Sequence, residues 1–106
     1  MSHFCFFKNP VVPKTIFESI QKKHPEMPCY PVSEAEGKIP AGWLIEQVGF
    51  KGKRYGDAGV HKNQALVLVN YGDATGNEIW DLALRIQKEV HLQFGIEIQP
   101  EVNIIE

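Results

Sequence analysis

The chain has 106 residues, of which 43% are hydrophobic and 23% are charged, and its formal net charge is -2. This length fits one domain with one compact core, and the charge lacks the positive excess expected of a protein that binds nucleic acid. Two cysteines without a C-x-x-C pair predict reduced thiols rather than a disulfide framework. With no signal-peptide pattern and no membrane-spanning apolar run, we expect a cytoplasmic protein.

The first elements are a short strand and a helix. Phe4 to Phe7 is predicted to be a strand that ends at the turn pair Asn9-Pro10. Pro13 fits the first turn of a helix over residues 14–23, because its missing N–H costs nothing there. The apolar face of that helix is Ile16, Phe17 and Ile20.

Two further helices are predicted. The second follows an extended segment at Cys29 to Val32 and runs from about Pro40 to Val48, with Gly49 at its C′ position. The third runs from about Gly76 to Phe94. Thr75 and Glu78 form its capping box, and Gly95 ends it.

Two strands complete the predicted elements. Ala65 to Asn70 is nearly all apolar and predicts a central strand covered on both faces. Residues 96–104 alternate apolar and polar side chains and predict a strand with one buried face. The fold is therefore expected to be α+β, a single domain with a mixed or antiparallel sheet of about four or five short strands and about three helices. Helices and strands do not alternate strictly, which disfavours a doubly wound sheet.

Few patterns point to a specific chemistry. The four histidines are scattered and predict no metal site, and no G-x-S-x-G elbow, P-loop or dinucleotide fingerprint occurs. We therefore expect no cofactor on this chain. The segment Lys51-Gly52-Lys53-Arg54 is either a solvated loop or a clamp for a diphosphate.

Five polar or reactive side chains remain open to two interpretations. The amides of Asn9 and Gln64 could bind a polar ligand or cap turns. Tyr30, held stiffly between prolines, could stack on a base or pack on the core. Taken alone, Glu101 is an exposed carboxylate and Cys5 is a core thiol.

The order of several segments resembles a known family. "FFKNPVV", "MPCYP", "AGWLIEQVGFKGKRYGDAGVHKNQALVLVN" and "GIEIQPEVNII" closely resemble the carboxy-terminal domain of UDP-N-acetylenolpyruvoylglucosamine reductase, also called UDP-N-acetylmuramate dehydrogenase. The resemblance runs from Phe6 to Ile105. It implies the substrate-binding domain of an FAD- and NADPH-dependent enzyme of peptidoglycan precursor synthesis. The implied ligand is UDP-N-acetylglucosamine enolpyruvate, and the implied partner is the FAD-binding part that this chain lacks, so the isolated chain should be inactive.

The resemblance also implies roles for individual residues. In the family, reduced flavin delivers hydride to the enolpyruvyl C3, and the enolate-like intermediate is protonated at C2, usually by a serine directly before "FFKNP". Cys5 occupies that position here. Glu101, in the "PEV" motif, would stabilise charge on the substrate carboxylate together with an arginine from the missing part. The positions that match family contacts to the uridine diphosphate are Asn9, Tyr30, Lys51 and Gln64.

The chain departs from the family at the proton donor, where Phe4-Cys5 replaces Gly-Ser. A thiol can replace the hydroxyl, since its reference pKa of about 8.5 leaves it mostly protonated near neutrality. A phenylalanine at position 4 removes the close backbone approach that glycine permits. We interpret the chain as a fragment, or as a domain whose catalytic half lies elsewhere. The alternative is a non-catalytic remnant that binds a nucleotide-sugar or a partner chain.

Overall fold

The computed structural model describes the backbone of residues 2–28 and 30–105 and the side chains of residues 6–28 and 30–101. The helices of this part of the chain are α1 (Lys14–Lys23), α2 (Ala41–Gln47) and α3 (Gly76–Phe94). The strands are β1 (Ser2–Phe7), β2 (Val11–Pro13), β3 (Tyr30–Pro31), β4 (Glu36–Lys38), β5 (Arg54–Tyr55), β6 (Ala58–Val60), β7 (Val67–Asn70) and β8 (Pro100–Ile105). The predicted α+β class is confirmed.

The strands form two sheets in the described residues. The larger sheet has the order β5-β6-β7-β1-β8, and the smaller has the order β2-β4-β3. Every recorded strand pair is antiparallel. The larger sheet matches the predicted four or five strands. The smaller sheet was not predicted, because strands of two or three residues are too short to show a period of two.

Helix α3 has the predicted bounds, and local sequence explains both ends. The hydroxyl of Thr75 accepts a hydrogen bond from the backbone N–H of Glu78, and the Glu78 carboxylate accepts one from the backbone N–H of Thr75, each at 3.1 Å. This is the predicted capping box. Gly95 ends the helix with φ of 70°, a left-handed conformation that favours glycine.

Two prolines precede the other helices rather than lying inside them. Pro13 is the N-cap of α1, with an extended ψ of 145°, so the expectation that it lies in the first turn was one residue off. Pro40 is the N-cap of α2 and Val48 its C-cap, which makes the helix slightly shorter than predicted. Gly49 follows with φ of 87°, as expected for the C′ position.

The core lies between α3 and one face of the larger sheet. The buried side chains of α3 are Ile79, Leu82, Ala83, Ile86 and Val90. Phe94, also predicted to face inward, is half-buried and lies beside Trp43 of α2 and His24 after α1, with ring centroids 5.8 and 5.7 Å away. This aromatic cluster joins the ends of the three helices.

Two strand predictions needed correction. β7 lies in the middle of the larger sheet, but only Leu68 is buried and its other residues are half-buried, so the strand is not covered on both faces. The strand predicted over residues 96–104 begins only at Pro100. Ile96 and Ile98 are buried as predicted, but they lie in irregular chain. The predicted inward-facing side chains of Val102 and Ile104 lie outside the described residues.

The glycine-rich segment between α2 and β7 folds as a hairpin, β5–β6, which was not predicted. Gly52 and Gly56 have φ of 74° and 63°, in turns on either side of β5. Gly59 serves a different purpose. A Cβ added there would lie 2.7 Å from Cε2 of Tyr71 and 3.1 Å from the carbonyl oxygen of Lys53, so close packing requires glycine.

A network around Asp57 links this hairpin to the loop after β7. The Asp57 carboxylate accepts hydrogen bonds from the backbone N–H of Asp73 and from the Arg54 guanidinium, both at 2.9 Å. The guanidinium also lies 4.3 Å from the ring centroid of Tyr71. The Asp73 N–H, and then Arg54, hold the pKa of Asp57 below its ordinary value of 3.8.

This network predicts an acid-sensitive contribution to stability. Because the pKa of Asp57 is lower in the folded chain, the carboxylate stabilises the fold fully above its unfolded pKa, and this contribution is lost as pH falls through the folded pKa. Asp57→Asn should therefore lower the urea midpoint at neutral pH by more than it does near about pH 3. Arg54→Ala removes one of the two partners of the Asp57 carboxylate. It should also lower the urea midpoint more at neutral pH than at low pH, but the difference should be smaller than for Asp57→Asn. A gap between wild type and Asp57→Asn that grows on acidification would contradict this.

Candidate functional site

One end of the larger sheet collects most of the residues predicted to bind substrate. We call it the site end; here β1 and β6 finish and β7 and β8 begin. The backbone N–H of Phe7 donates to the Leu66 carbonyl at 2.9 Å, and that of Lys8 donates to the Gln99 carbonyl at 3.0 Å. These bonds join the chain after β1 to the chain entering β7 and β8.

Asn9 lies at the site end, directly after β1. Its side-chain oxygen accepts a hydrogen bond from the backbone N–H of Ala41, the first residue of α2, at 2.8 Å. The amide therefore caps a helix, whereas the structural role considered for it from the sequence was the capping of a turn. Because the oxygen faces α2, the amide nitrogen presents its two N–H donors elsewhere, and it has no partner among the described residues.

Lys51 and Gln64 lie in two adjacent turns. A Cβ added at Gly52 would lie 4.0 Å from Cα of Lys62, which places the turn after α2 beside the turn between β6 and β7. The Lys51 ammonium lies 3.5 Å from the carboxylate of Glu46, and both side chains are well exposed. Gln64 is exposed and its side chain contacts no partner in the described part of the chain.

Glu101 lies at the start of β8, where it forms an ion pair. Its carboxylate is 2.8 Å from the ammonium of Lys8, with side-chain exposures of 44% and 60%. Glu101 is opposite Phe6 in the sheet, and Lys8 follows two residues later on the same face. The intervening Phe7, only 1% exposed, faces the core on the other side.

Cys5 is paired with Leu68 of β7 and Val102 of β8. Its backbone therefore lies one position from the Phe6–Glu101 pair on neighbouring strands. The side chain of Cys5 lies outside the described residues, so its proposed contact with substrate stays a prediction.

Tyr30 is the predicted site residue that lies in the smaller sheet. It is opposite Lys38 on β4, which in turn is opposite Val11 on β2, two residues after Asn9. Residues directly opposite one another share a face of a sheet, and Tyr30 is 59% exposed. The alternative in which Tyr30 packs on the core is therefore wrong.

The three cations of the segment after α2 differ in their contacts. Arg54 is held by Asp57 and by the carbonyl of Gly56 at 2.6 Å, so it belongs to the hairpin rather than to a diphosphate clamp. Lys51 and Lys53 are exposed at the turn itself. Within this segment, Lys51 and Lys53 are therefore the two cations that the hairpin does not hold, and they are available to bind an anion.

One groove beside α3 does not suit the diphosphate of a flavin dinucleotide. A groove of about 250 Å³ lies between Tyr55 and α3, but Glu78 and Asp81 line it beside Arg85, and two carboxylates would repel the diphosphate of a dinucleotide. Within the described residues, no group of three or more histidine, cysteine, aspartate or glutamate side chains could bind a metal ion. No helix in this part of the chain is long and apolar enough to cross a membrane.

Comparison with known proteins supports the family resemblance that the sequence segments indicated. The family described as UDP-N-acetylenolpyruvoylglucosamine reductase, C-terminal domain, has a sequence model that matches residues 2–105. The chain belongs to this family. The suspected resemblance is thereby confirmed over nearly the whole chain, including the segments that carry each predicted site residue.

Relatives of the reductase family extend well beyond this domain. The UDP-N-acetylenolpyruvoylglucosamine reductase of Flavobacterium johnsoniae is 67% identical over 100 residues, which cover 94% of this chain and 30% of that protein. The enzyme of Chromobacterium violaceum is 51% identical over 94% of this chain and 29% of its own length. That of Pseudomonas savastanoi pv. phaseolicola is 50% identical over 93% and 29%. The chain thus spans about 30% of the length of the curated relatives it matches.

Three residues of this reductase domain were not singled out from the sequence, yet they adjoin predicted ones. Lys8 pairs with Glu101, Lys38 lies opposite Tyr30, and His61 contacts the backbone of Gln64. A lysine inside the quoted "FFKNP" segment was a usable signal for the first. The other two depend on strand register and turn geometry, which no local pattern reveals.

Proposed function

We propose that this chain is the substrate-binding and proton-donating part of a reductase that converts UDP-N-acetylenolpyruvoylglucosamine to UDP-N-acetylmuramate in peptidoglycan precursor synthesis. FAD and NADPH would be bound by other parts of a longer polypeptide. Membership of the family and the extra length of the relatives support this division. The observation that carries the proposal is a group of exposed hydrogen-bond donors near the site end, which are either without a partner among the described residues or, for Lys51, held only by an exposed ion pair.

The donors suit a ligand that is rich in acceptor oxygens. Asn9 directs its N–H groups away from α2, and Lys51 offers an ammonium that is held only by an exposed ion pair. Such exposed pairs contribute about 0–1 kcal/mol, so phosphate oxygens can replace Glu46 as the partner of Lys51. Tyr30 and Gln64 add a phenol and a second amide, which can bind phosphate, ribose or uracil oxygens.

The reacting end of the substrate is proposed to lie along β1 and β8. A flavin held elsewhere would supply the hydride. Cys5 would then give its thiol proton to C2 of the enolpyruvyl group, and the thiolate would later regain a proton from solvent. Glu101, together with an arginine from another part of the polypeptide, would stabilise the charge that hydride transfer develops on the substrate carboxylate before this protonation.

The exposure of these side chains supports a site that this chain shares with another part of the polypeptide. No polar or charged residue is buried among the described residues, so the candidate site is an open surface. Electrostatic stabilisation is strong only where water is excluded, so another part of the polypeptide is needed to cover this surface during the reaction. The isolated chain is therefore expected to bind a UDP-sugar weakly and to be inactive.

A titration of the isolated chain with UDP-N-acetylglucosamine tests the binding role. We expect a dissociation constant of the order of 1 mM, with backbone amide shifts near Asn9, Tyr30, Lys51 and Gln64. Lys51→Ala should weaken binding by about tenfold, since a hydrogen bond to a charged group is lost. The readout is the shift of amide resonances against ligand concentration.

The matched control is Lys22→Ala, which removes an exposed lysine of α1 that makes no ion pair in the described part of the chain. It should leave the affinity unchanged within about twofold. An unchanged spectrum of the wild type at millimolar ligand would contradict the proposed function. Equal losses in the two lysine variants would show that binding reflects overall charge rather than a site.

A further inference from the structure

His61 caps the turn that carries Gln64. Its Nδ1 atom accepts hydrogen bonds from the backbone N–H groups of Asn63 at 3.0 Å and Gln64 at 3.1 Å. Two backbone bonds of 2.9 Å, from His61 to the Val67 carbonyl and from Val67 to the Gln64 carbonyl, close the remainder of the turn. A side chain outside the predicted site thus fixes the backbone of a residue inside it.

The geometry defines the chemistry that position 61 requires. Two N–H groups converge on Nδ1, so this atom must offer a lone pair as the acceptor. Nδ1 is one bond beyond Cγ, as is Oδ1 of asparagine. Asparagine oxygens accept from the same two following N–H groups in turns. The requirement is therefore an acceptor at this place, not an imidazole ring.

We infer that His61 is a positioning residue for the UDP-sugar site, an inference that rests on the proposed function. Gln64 is exposed, but the next residue, Ala65, is only 4% exposed and anchors the turn in the core. His61 fixes the turn on the other side. With both supports, the backbone of Gln64 is held beside the Lys51 turn before ligand arrives, and less ordering of the backbone is needed on binding.

Three variants separate the acceptor from the ring. His61→Phe keeps a ring without an acceptor, His61→Ala removes both, and His61→Asn keeps an acceptor at the same distance from the backbone. Each is made in the 106-residue chain. Amide hydrogen exchange at Asn63 and Gln64 measures the cap without ligand, and titration with UDP-N-acetylglucosamine measures its effect on binding.

We expect His61→Phe and His61→Ala to speed exchange of both amides at least about threefold and to weaken UDP-sugar binding about three- to tenfold. His61→Asn should stay within about twofold of wild type in both measurements, because it restores the acceptor. Gln64→Ala should weaken binding while leaving exchange of the Asn63 amide unchanged. That result would show that the Gln64 side chain contributes to binding without holding the turn.

Several results would overturn the inference. Unchanged exchange in His61→Phe and His61→Ala would show that Nδ1 does not hold the turn. Faster exchange with unchanged affinity would show that the turn is held but does not matter for binding. A wild-type chain that binds no UDP-sugar would contradict the proposed function itself, and the inference would fall with it even if the exchange results were as expected.

Discussion

Glu101→Gln is expected to lower kcat of a full-length reductase containing this domain by about a hundredfold or more, while the dissociation constant for the UDP-sugar changes less than about threefold. Glutamine keeps the size of the side chain but removes its charge and its ability to exchange a proton. If Glu101 acts mainly in the transition state, turnover falls and binding does not. NADPH oxidation measures the first quantity, and a ligand titration measures the second.

The matched control for this prediction is Glu97→Gln. Glu97 is an exposed glutamate shortly before β8, where its carboxylate accepts a hydrogen bond from the side chain of Gln99 at 3.3 Å. Its replacement should leave kcat within about twofold, since it lies outside the proposed site. Cys5→Ser should be tolerated or should raise kcat if Cys5 is the proton donor, because the resemblance implies that a serine usually has this role. Equal losses of binding and turnover in Glu101→Gln would contradict the assigned role.

The second large effect concerns the core that holds the site end in place. Leu82→Ala is expected to lower the free energy of unfolding by about 2–4 kcal/mol, because a buried leucine is replaced by a cavity. Leu82 lies in α3 and is 5% exposed. For a domain whose total stability is of the order of 5–15 kcal/mol, this is a large fraction.

Leu92→Ala makes the same substitution in the same helix at a position that is 67% exposed. The change in helix propensity is identical in the two variants, so the difference between them isolates burial. Leu92→Ala should change the free energy of unfolding by no more than about 0.5 kcal/mol. Urea midpoints of the two variants provide the comparison, and similar losses in both would show that α3 does not pack as described.

Local sequence patterns predicted the helices well. The bounds of α1 and α3 agree with the prediction, as do the Thr75–Glu78 capping box and the left-handed Gly95. Helical periodicity and end signals involve residues three or four positions apart, so a single sequence contains them in full. Very short strands such as β3 and β5 have no comparable signal, which is why the smaller sheet and the hairpin were missed.

The site was predicted through family resemblance rather than through chemistry visible in the residues. Taken alone, Asn9, Tyr30 and Glu101 each had an ordinary structural explanation. The structure brings Asn9, Lys51, Gln64 and Glu101 to one end of the larger sheet, although they are far apart in the chain. It also shows that Asn9 caps α2, so one amide can have both a structural and a binding role.

The amino-acid sequence by itself determined the α+β class, the three helices, the apolar stripe of α3 and the family. These depend on short-range periodicity and on ordered motifs along the chain. Only the tertiary structure decided that Lys8 meets Glu101, that Tyr30 faces outward beside Lys38, and that His61 supports Gln64. The first two depend on which strands pair and in which register, and the third on the path of the turn between two strands. Strand pairing and register are fixed by hydrogen bonds between strands that are distant in the sequence, so a local pattern does not determine them.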